Sequence, residues 1–295
     1  MTEPRRFIPG TTYFITRRCT QRQFWLKPTA LIVQIFLYCL AAAAARTGVI
    51  VHAVCVMSNH YHILVTDPEN RIADFYGWLH EYVAKAANAS RGRWENLWAS
   101  EKTSVIPLGS ANDVIGKIVY TLANPVQAQL VAQGIRWPGV WLFRSHSQMV
   151  KRPDVYFRKD GTMPEEIEFT IAPPPQFRHL SAEAYETLVQ KMLFRREQKI
   201  VAKMAAQGRS FFGVRAVMGQ RPAASPKSRE PRRGLNPRVA ARSKWQRIEA
   251  IQRNKLFLAE YHQARRLWKD GDREVVFPLG TYALRIHANV RCAPG

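Results

Sequence analysis

Cysteine is scarce in this chain of 295 residues, which contains four: Cys19, Cys39, Cys55 and Cys292. They form no CxxC pair and follow no regular spacing, so a zinc knuckle and a disulfide framework are both excluded. The opening residues, MTEPRRFIPG, also lack the apolar core of a signal peptide. We therefore expect reduced thiols and a cytoplasmic protein.

Acidic residues are few as well: 22 Asp and Glu stand against 44 Lys and Arg, which gives a net charge of +22. A surface this positive binds polyanions, usually nucleic acid and less often an anionic membrane. With 46% hydrophobic and 11% aromatic residues, the chain is not wholly disordered. Charge indicates the class of partner, and motifs must indicate the chemistry.

Long apolar runs are missing too. The longest, residues 30–45, is interrupted only by Gln34 and is shorter than the roughly 20 residues that span a bilayer. It predicts a helix packed on a sheet, and no membrane is expected as a partner.

Residue patterns predict strands over 11–16, 49–57, 60–66 and 103–107, and helices over 29–46, 72–89 and 112–133. Only Ser58 and Asn59 separate the second and third strands, as in a hairpin. This order predicts an α+β fold: a ferredoxin-like βαββαβ sandwich with an antiparallel sheet and helices on one face, followed by a further helix that bears Tyr120.

The prolines of IAPPP, residues 171–175, predict a domain boundary. Residues 1–170 would form the first domain, and residues 176–295 a basic, mainly helical extension with 25 Lys and Arg against 9 Asp and Glu. Helices are predicted over 181–206 and 244–269. Residues 220–242, which have four prolines and no aromatics, predict a disordered linker.

His60 and His62 are the first candidate site residues. Residues i and i+2 of a strand point to the same face, so both imidazoles project together. Two convergent imidazoles are half of a metal site, which Mg²⁺ or Mn²⁺ would complete with an oxygen ligand, water and a substrate phosphate. Two half-exposed strand histidines without a metal are the alternative.

Tyr120 and Asn124 are the second pair. A spacing of four places phenol and carboxamide on one helical face, as a nucleophile and an oxygen ligand. The alternative is a core tyrosine with its hydroxyl bonded, and an Asn that marks a kink before Pro125. Together the four residues suit one reaction, in which the Tyr120 phenol attacks a metal-bound phosphate and leaves the protein joined to a DNA 5′ end.

These residues carry a resemblance. VMSNHYHILV, residues 56–65, resembles the HUH motif of single-tyrosine insertion-sequence transposases, and YTLANPV, residues 120–126, resembles the YxxxN helix of REP-associated tyrosine transposases. Residues 13–18 are similar to the family's first strand, and residues 137–147 to the segment after the tyrosine helix. The resemblance covers about residues 5–155.

The resemblance implies a metal-dependent transposase that cuts and rejoins single-stranded DNA beside small hairpins, often as a dimer. Tyr120 would be the nucleophile, and His60, His62 and Asn124 would hold a divalent metal, Mg²⁺ or Mn²⁺. The sequence departs from the family at three positions: Ser58 stands where Pro is usual, and Gln127 and Gln129 where Arg and Gly are common. The alternative function is a catalytically silent protein, derived from a mobile element, that binds hairpin DNA or RNA.

Five arginines are candidate DNA contacts by position: Arg17, Arg18 and Arg144 near the motifs, and Arg195 and Arg196 in the basic extension. Trp245 or residues 211–212 could stack on unpaired bases. The alternatives are ordinary exposed arginines and a solvated tail. A hydrolytic site is not favoured, because no cluster of Asp and Glu accompanies the two histidines.

Overall fold

A computed structural model describes residues 4–155, 163–228, 239 and 243–294. These residues form one mixed sheet of seven strands in the order β4-β1-β3-β2-β7-β6, with β5 paired to β2. The strands are β1 (Thr11–Arg18), β2 (Ile50–Val56), β3 (His60–Asp67), β4 (Ser104–Leu108), β5 (Trp141–Leu142), β6 (His146–Lys151) and β7 (Glu166–Ile171). All neighbouring strands are antiparallel except β2 and β7, which are parallel.

Eight α-helices occur in the described part of the chain. They are α1 (Ala30–Thr47), α2 (Ile72–Ala89), α3 (Ala111–Leu122), α4 (Asn124–Gln127), α5 (Ala182–Ala206), α6 (Val214–Gly219), α7 (Lys244–Lys269) and α8 (Ala283–Ala288). The predicted order of elements through β4 and α3 is confirmed, as is the hairpin between β2 and β3.

The predicted length of the tyrosine-bearing helix is wrong. The pattern over 112–133 predicts one helix, but α3 ends at Leu122 and only the single turn of α4 follows. Pro125 has no N–H to donate to a preceding carbonyl, and its ring crowds the previous turn. Gln129 then adopts a positive φ of 60°, which ends the helical path.

Helices cover both faces of the sheet. α1 and α2 pack on the face formed by Tyr13, Ile15 and Tyr61, the one-sided arrangement predicted for them. α3 and α5 pack on the opposite face, around Phe14 and Leu64. The cover on both faces explains why β2 is almost continuously apolar and why almost every residue of β3 is buried.

α1 is the one helix of the described residues that is long and apolar enough to cross a membrane, with a mean hydropathy of 1.7. In the structure 56% of it is buried, mainly against α2 and the sheet. Thr29 caps its first turn and Gly48, with a φ of 69°, ends it. Its apolar character is thus accounted for by a core position.

α5 follows the proline-rich segment at 171–175 and packs directly on α3. Tyr185, Val189 and Leu193 of α5 share a hydrophobic cluster with Val114 and Ile118 of α3. The helix beyond the expected boundary therefore belongs to the same core as the tyrosine-bearing helix. The domain limits at residues 170 and 176 stay a prediction.

The predicted helix over 244–269 is confirmed as α7. The linker predicted over 220–242 lies largely outside the described residues. Its described start runs along residues 21–27, where the Phe24 N–H donates to the Ala224 carbonyl and the Ser225 hydroxyl donates to the Gln21 carbonyl.

Candidate active site

His60 and His62 lie on the sheet face that α3 covers. β3 pairs antiparallel with β1, where Thr16 faces His62 and Arg18 faces His60. The alternation of the strand sends Tyr61 to the opposite face, into the core with α1 and α2. The two imidazole centres are 4.8 Å apart and their planes are nearly perpendicular. The spacing therefore brings the two rings together, as predicted from the sequence.

The orientation of His60 is set by Asn59. The Asn59 Nδ2 donates to the Arg22 carbonyl at 3.0 Å, so its Oδ1 is the atom that lies 2.7 Å from His60 Nδ1. An amide oxygen only accepts, so Nδ1 carries the proton and Nε2 keeps a lone pair. Burial lowers the pKa of His60 to about 4, opposed by Asn124 and reinforced by the positive charge of Arg22. The ring is neutral at pH 7.

His62 is buried with both ring nitrogens lacking a hydrogen-bond partner among the described residues. Its ring stacks on Phe14, with centres 5.4 Å apart and planes 9° apart, and meets Tyr120 edge to face at 5.4 Å. Burial, followed by the charges of His60 and Lys117, holds the pKa of His62 well below its usual value. An unpaired polar group in a core costs about 1–3 kcal/mol, so an external ligand would explain why this one persists.

Asn124 turns its carboxamide oxygen toward the histidines. Its Nδ2 donates to the Tyr120 carbonyl at 2.9 Å. This carbonyl is in the last turn of α3, where carbonyls have no partner within the helix. The carboxamide of Asn124 raises the pKa of both imidazoles against the effect of burial, although it lies outside hydrogen-bond geometry to the His62 nitrogens. Because Nδ2 is bonded to the Tyr120 carbonyl, Oδ1 is the carboxamide atom that is left for the histidine side.

Tyr120 is half-buried at the last turn of α3. Its ring lies edge-on to His62 and to Phe14, 6.0 Å away. None of the described residues forms a hydrogen bond with its hydroxyl group, which distinguishes it from a core tyrosine whose hydroxyl is bonded.

The donor set formed by these residues suits a divalent metal. His60 Nε2 and a ring nitrogen of His62 are neutral donors, and Asn124 contributes an amide oxygen. The ring nitrogens of His62 lack a hydrogen-bond partner, which fits a site where one of them binds a metal ion. The described residues contain no group of three His, Cys, Asp or Glu that could hold a metal. This site does not form such a group, since its third metal-binding side chain would be the carboxamide of Asn124.

Two cationic side chains lie over the Tyr120 ring. Lys117 Nζ is 5.1 Å from the ring centre, and Arg196 Cζ, on α5, is 5.6 Å from it. Arg196 was among the candidate residues, whereas Lys117, Phe14 and Asn59 were missed. A spacing of three from Tyr120 on one helix could have indicated Lys117.

Arg17, a predicted DNA contact, lies away from the two histidines. Its side chain lies on the sheet face opposite His60, where its NH1 is 2.7 Å from His80 Nδ1 and its guanidinium is 5.6 Å from the Trp98 ring. Neighbouring strand residues alternate between faces, so Arg17 and Arg18 diverge.

The other arginines differ in their proximity to the site. Arg18 lies on the histidine face and pairs with Glu101 at 2.7 Å. Arg144 is exposed after β5, and Arg195 is exposed on α5. Of the five, Arg196 is the one that contacts the phenol ring. Of the aromatics considered for stacking, Trp245 is 76% exposed and Phe212 is 50% exposed.

No family model matches the chain, and no curated protein does. Among solved structures, it is similar to a REP-associated tyrosine transposase bound to a REP hairpin, at 22% identity and a TM-score of 0.38, over 47% of this chain and 81% of the other. It is also similar to a protein from Deinococcus radiodurans R1 named as a candidate transposase, at 19% identity and a TM-score of 0.30, over 39% and 91%. Both names are of transposases, the class that the motifs resemble, but TM-scores below 0.5 give the likeness no weight of its own.

Proposed function

We propose that this chain is a single-tyrosine transposase of the HUH type, which cuts and rejoins single-stranded DNA beside hairpins. Tyr120 is the nucleophile, and His60, His62 and Asn124 hold Mg²⁺ or Mn²⁺. One observation carries the proposal: the ring nitrogens of His62 are buried without a partner, beside a phenol whose hydroxyl is unbonded and an amide oxygen.

The architecture supports the same proposal. The strand order β4-β1-β3-β2, with every pair antiparallel and a helix in each crossover, supports the ferredoxin-like core that we propose. Its central strand carries the histidines, and the helix after β4 brings Tyr120 over them. The positive charge of the chain suits a DNA partner.

Each residue has a definite role in the proposed reaction. A bound Mg²⁺ or Mn²⁺ supplies Lewis acidity, which withdraws charge from a phosphate oxygen. Asn59 holds His60 in the tautomer that leaves Nε2 as a donor, and Phe14 fixes the plane of His62. Tyr120 Oη loses its proton to solvent and forms a bond to phosphorus, while the bond from phosphorus to the 3′ oxygen breaks and that oxygen takes up a proton.

This exchange of one ester for another needs no external energy source. The phosphotyrosine bond keeps much of the energy of the broken linkage, so a second 3′ hydroxyl can attack it and release Tyr120. Strand rejoining then follows from the same residues acting in reverse. A homodimer would present two such sites to the two ends of a segment.

A denaturing gel tests the proposal. Protein is incubated with Mn²⁺ or Mg²⁺ and a labelled pool of single-stranded oligonucleotides, each with an imperfect hairpin and randomised flanks. A labelled protein band that survives boiling is expected for the wild type and not for Tyr120→Phe, and a chelator should abolish it. Hairpin binding without any such band would overturn the proposal and leave the silent binding protein as the function.

A further inference from the structure

The two cations above Tyr120 come from different parts of the chain. Lys117 belongs to α3, one turn before the tyrosine, and its Nζ is also 4.7 Å from the centre of the Phe14 ring. Arg196 belongs to α5, beyond the part of the sequence that resembles a known family. The Tyr120 ring therefore lies below a lysine and an arginine, with His62 at its edge.

Arg196 is held in place by a buried neighbour. Glu197 is 8% exposed, and its carboxylate accepts a 2.8 Å hydrogen bond from the backbone N–H of Gly134, in the loop after α4. A Cβ at Gly134 would lie 2.6 Å from the Leu122 carbonyl and 3.0 Å from Glu197, so the close packing of this segment on the end of α3 requires glycine there. This anchor fixes the α5 turn that carries Arg196 beside the end of α3.

Asp113 offsets part of the charge of Lys117, and the pair keeps a net positive charge. None of the described carboxylates forms an ion pair with Lys117 or Arg196, and the Arg196 Nε is buried without a hydrogen-bond partner. Asp113, the acidic group that acts on Lys117, has its side chain bonded to the Ser110 hydroxyl. Two neighbouring cations with a free donor form a site for an anion.

We propose that Lys117 and Arg196 bind the phosphodiester that Tyr120 attacks, so that α5 of the basic C-terminal segment completes the active site. The planar guanidinium matches the oxygens of a phosphate, and the ammonium adds a second positive charge. Both would stabilise the negative charge on the phosphate oxygens as the bond from Tyr120 to phosphorus forms. This inference rests on the function proposed above and names the residues that bind its substrate.

The chain offers a matched control. Lys191 lies on the same helix as Arg196, carries the same charge and is exposed. We expect Arg196→Ala to slow formation of the covalent DNA adduct about 100-fold, the usual effect of removing one preorganised donor. Lys191→Ala should stay within about twofold of the wild type, since that side chain is far more solvated. Arg196→Lys, which keeps a positive charge, should restore part of the lost rate, and the melting temperature of each variant reports whether it folds.

A second measurement separates phosphate binding from cutting. In a Tyr120→Phe background without metal, affinity for single-stranded DNA is measured at several salt concentrations. Loss of one phosphate contact lowers the slope of log affinity against log salt by about 0.7, so Arg196→Ala should lower it by that amount. A residue that only supports the fold leaves this slope unchanged.

The two readouts together decide the matter. An unchanged salt slope in Arg196→Ala overturns the inference whatever happens to the cutting rate, and an unchanged cutting rate overturns it whatever happens to the slope. If the wild type forms no adduct, the proposed function fails, and the salt slope alone then decides whether the pair binds phosphate. If the wild type neither cuts nor binds DNA, both proposals are overturned.

Discussion

Two buried histidines, one on each side of β3, differ in their hydrogen bonding. On the face under α3, His62 has two buried ring nitrogens with no partner among the described residues. On the other face, both ring nitrogens of His80 of α2 are hydrogen-bonded. Arg17 donates to Nδ1, and the Nε2–H donates to the Tyr61 hydroxyl oxygen. Strand alternation at Tyr61 and His62 separates the two environments by a single residue.

The difference separates a histidine with a structural role from the histidine that the proposed function assigns to a metal. Burial lowers the pKa of both His62 and His80 well below the usual value, so the pKa does not distinguish them. Hydrogen bonding does, because a protein that uses a buried histidine only for structure satisfies its nitrogens. His52 belongs with His80, since its nitrogens contact the Ala172 carbonyl and the Thr66 hydroxyl.

The largest expected effect is on His62. We expect His62→Leu to abolish the DNA adduct while raising the free energy of unfolding, measured in urea with a chelator present, by about 1–3 kcal/mol, because an unpaired polar group is removed from the core. A variant that loses stability instead would show that His62 has a structural partner and would contradict the comparison.

The opposite substitution is His80→Leu. It leaves the Tyr61 hydroxyl and the Arg17 guanidinium without their buried partner, and we expect the free energy of unfolding to fall by about 2–4 kcal/mol. The fraction that remains folded should form the adduct at nearly the wild-type rate. Equal free energies of unfolding for His80→Leu and the wild type would contradict a structural role for the hydrogen bonds of His80.

Acid should destabilise the fold through its bonded histidines. Burial lowers the pKa of His52 from 6.5 to about 4, so between these values the unfolded chain binds a proton that the folded chain does not. The free energy of unfolding therefore has its full value above pH 6.5 and falls as the pH is lowered toward 4. His52 accounts for about 3 kcal/mol of this loss. Urea titrations at several pH values should give a shallower pH dependence for His52→Gln than for the wild type, and parallel curves would count against the assignment.

The smallest expected effect concerns Asn59, which orients His60. Residues that orient a metal-binding histidine typically change metal affinity 10- to 100-fold, roughly, when they are replaced. Asn59→Ala should raise the Mn²⁺ concentration needed for half-maximal adduct formation by such a factor, whereas Asn59→Asp keeps the acceptor for His60 Nδ1 and should stay near the wild type. Similar behaviour of both variants would rule out an orienting role.

Much of the first half of the fold could be predicted because it depends on local patterns. Period-two and period-four spacing located β1 to β4, α1 and α2, and placed His60 and His62 on one face. The end of α3 was misjudged because the apolar spacing continues past Pro125, although the helix does not. Here a single missing N–H outweighs the pattern.

The rest of the site depends on contacts between distant segments. The position of Arg196 over the phenol ring requires α5 to pack on α3, and no spacing in the sequence indicates that packing. The position of Arg17 has another cause: neighbouring residues of β1 point to opposite faces, so Arg17 lies away from the histidines and Arg18 lies on their face. Position near a motif is a weaker guide than the face of the strand.

The most direct measurement identifies the amino acid that becomes bonded to DNA. The adduct is formed with Mn²⁺, treated with nuclease and trypsin, and analysed by tandem mass spectrometry. Cleavage after Lys117 and Arg136 gives a peptide, residues 118–136, in which Tyr120 is the single tyrosine. The account predicts a nucleotide mass on that tyrosine, and a nucleotide on any other residue, or none under either metal ion, would contradict it.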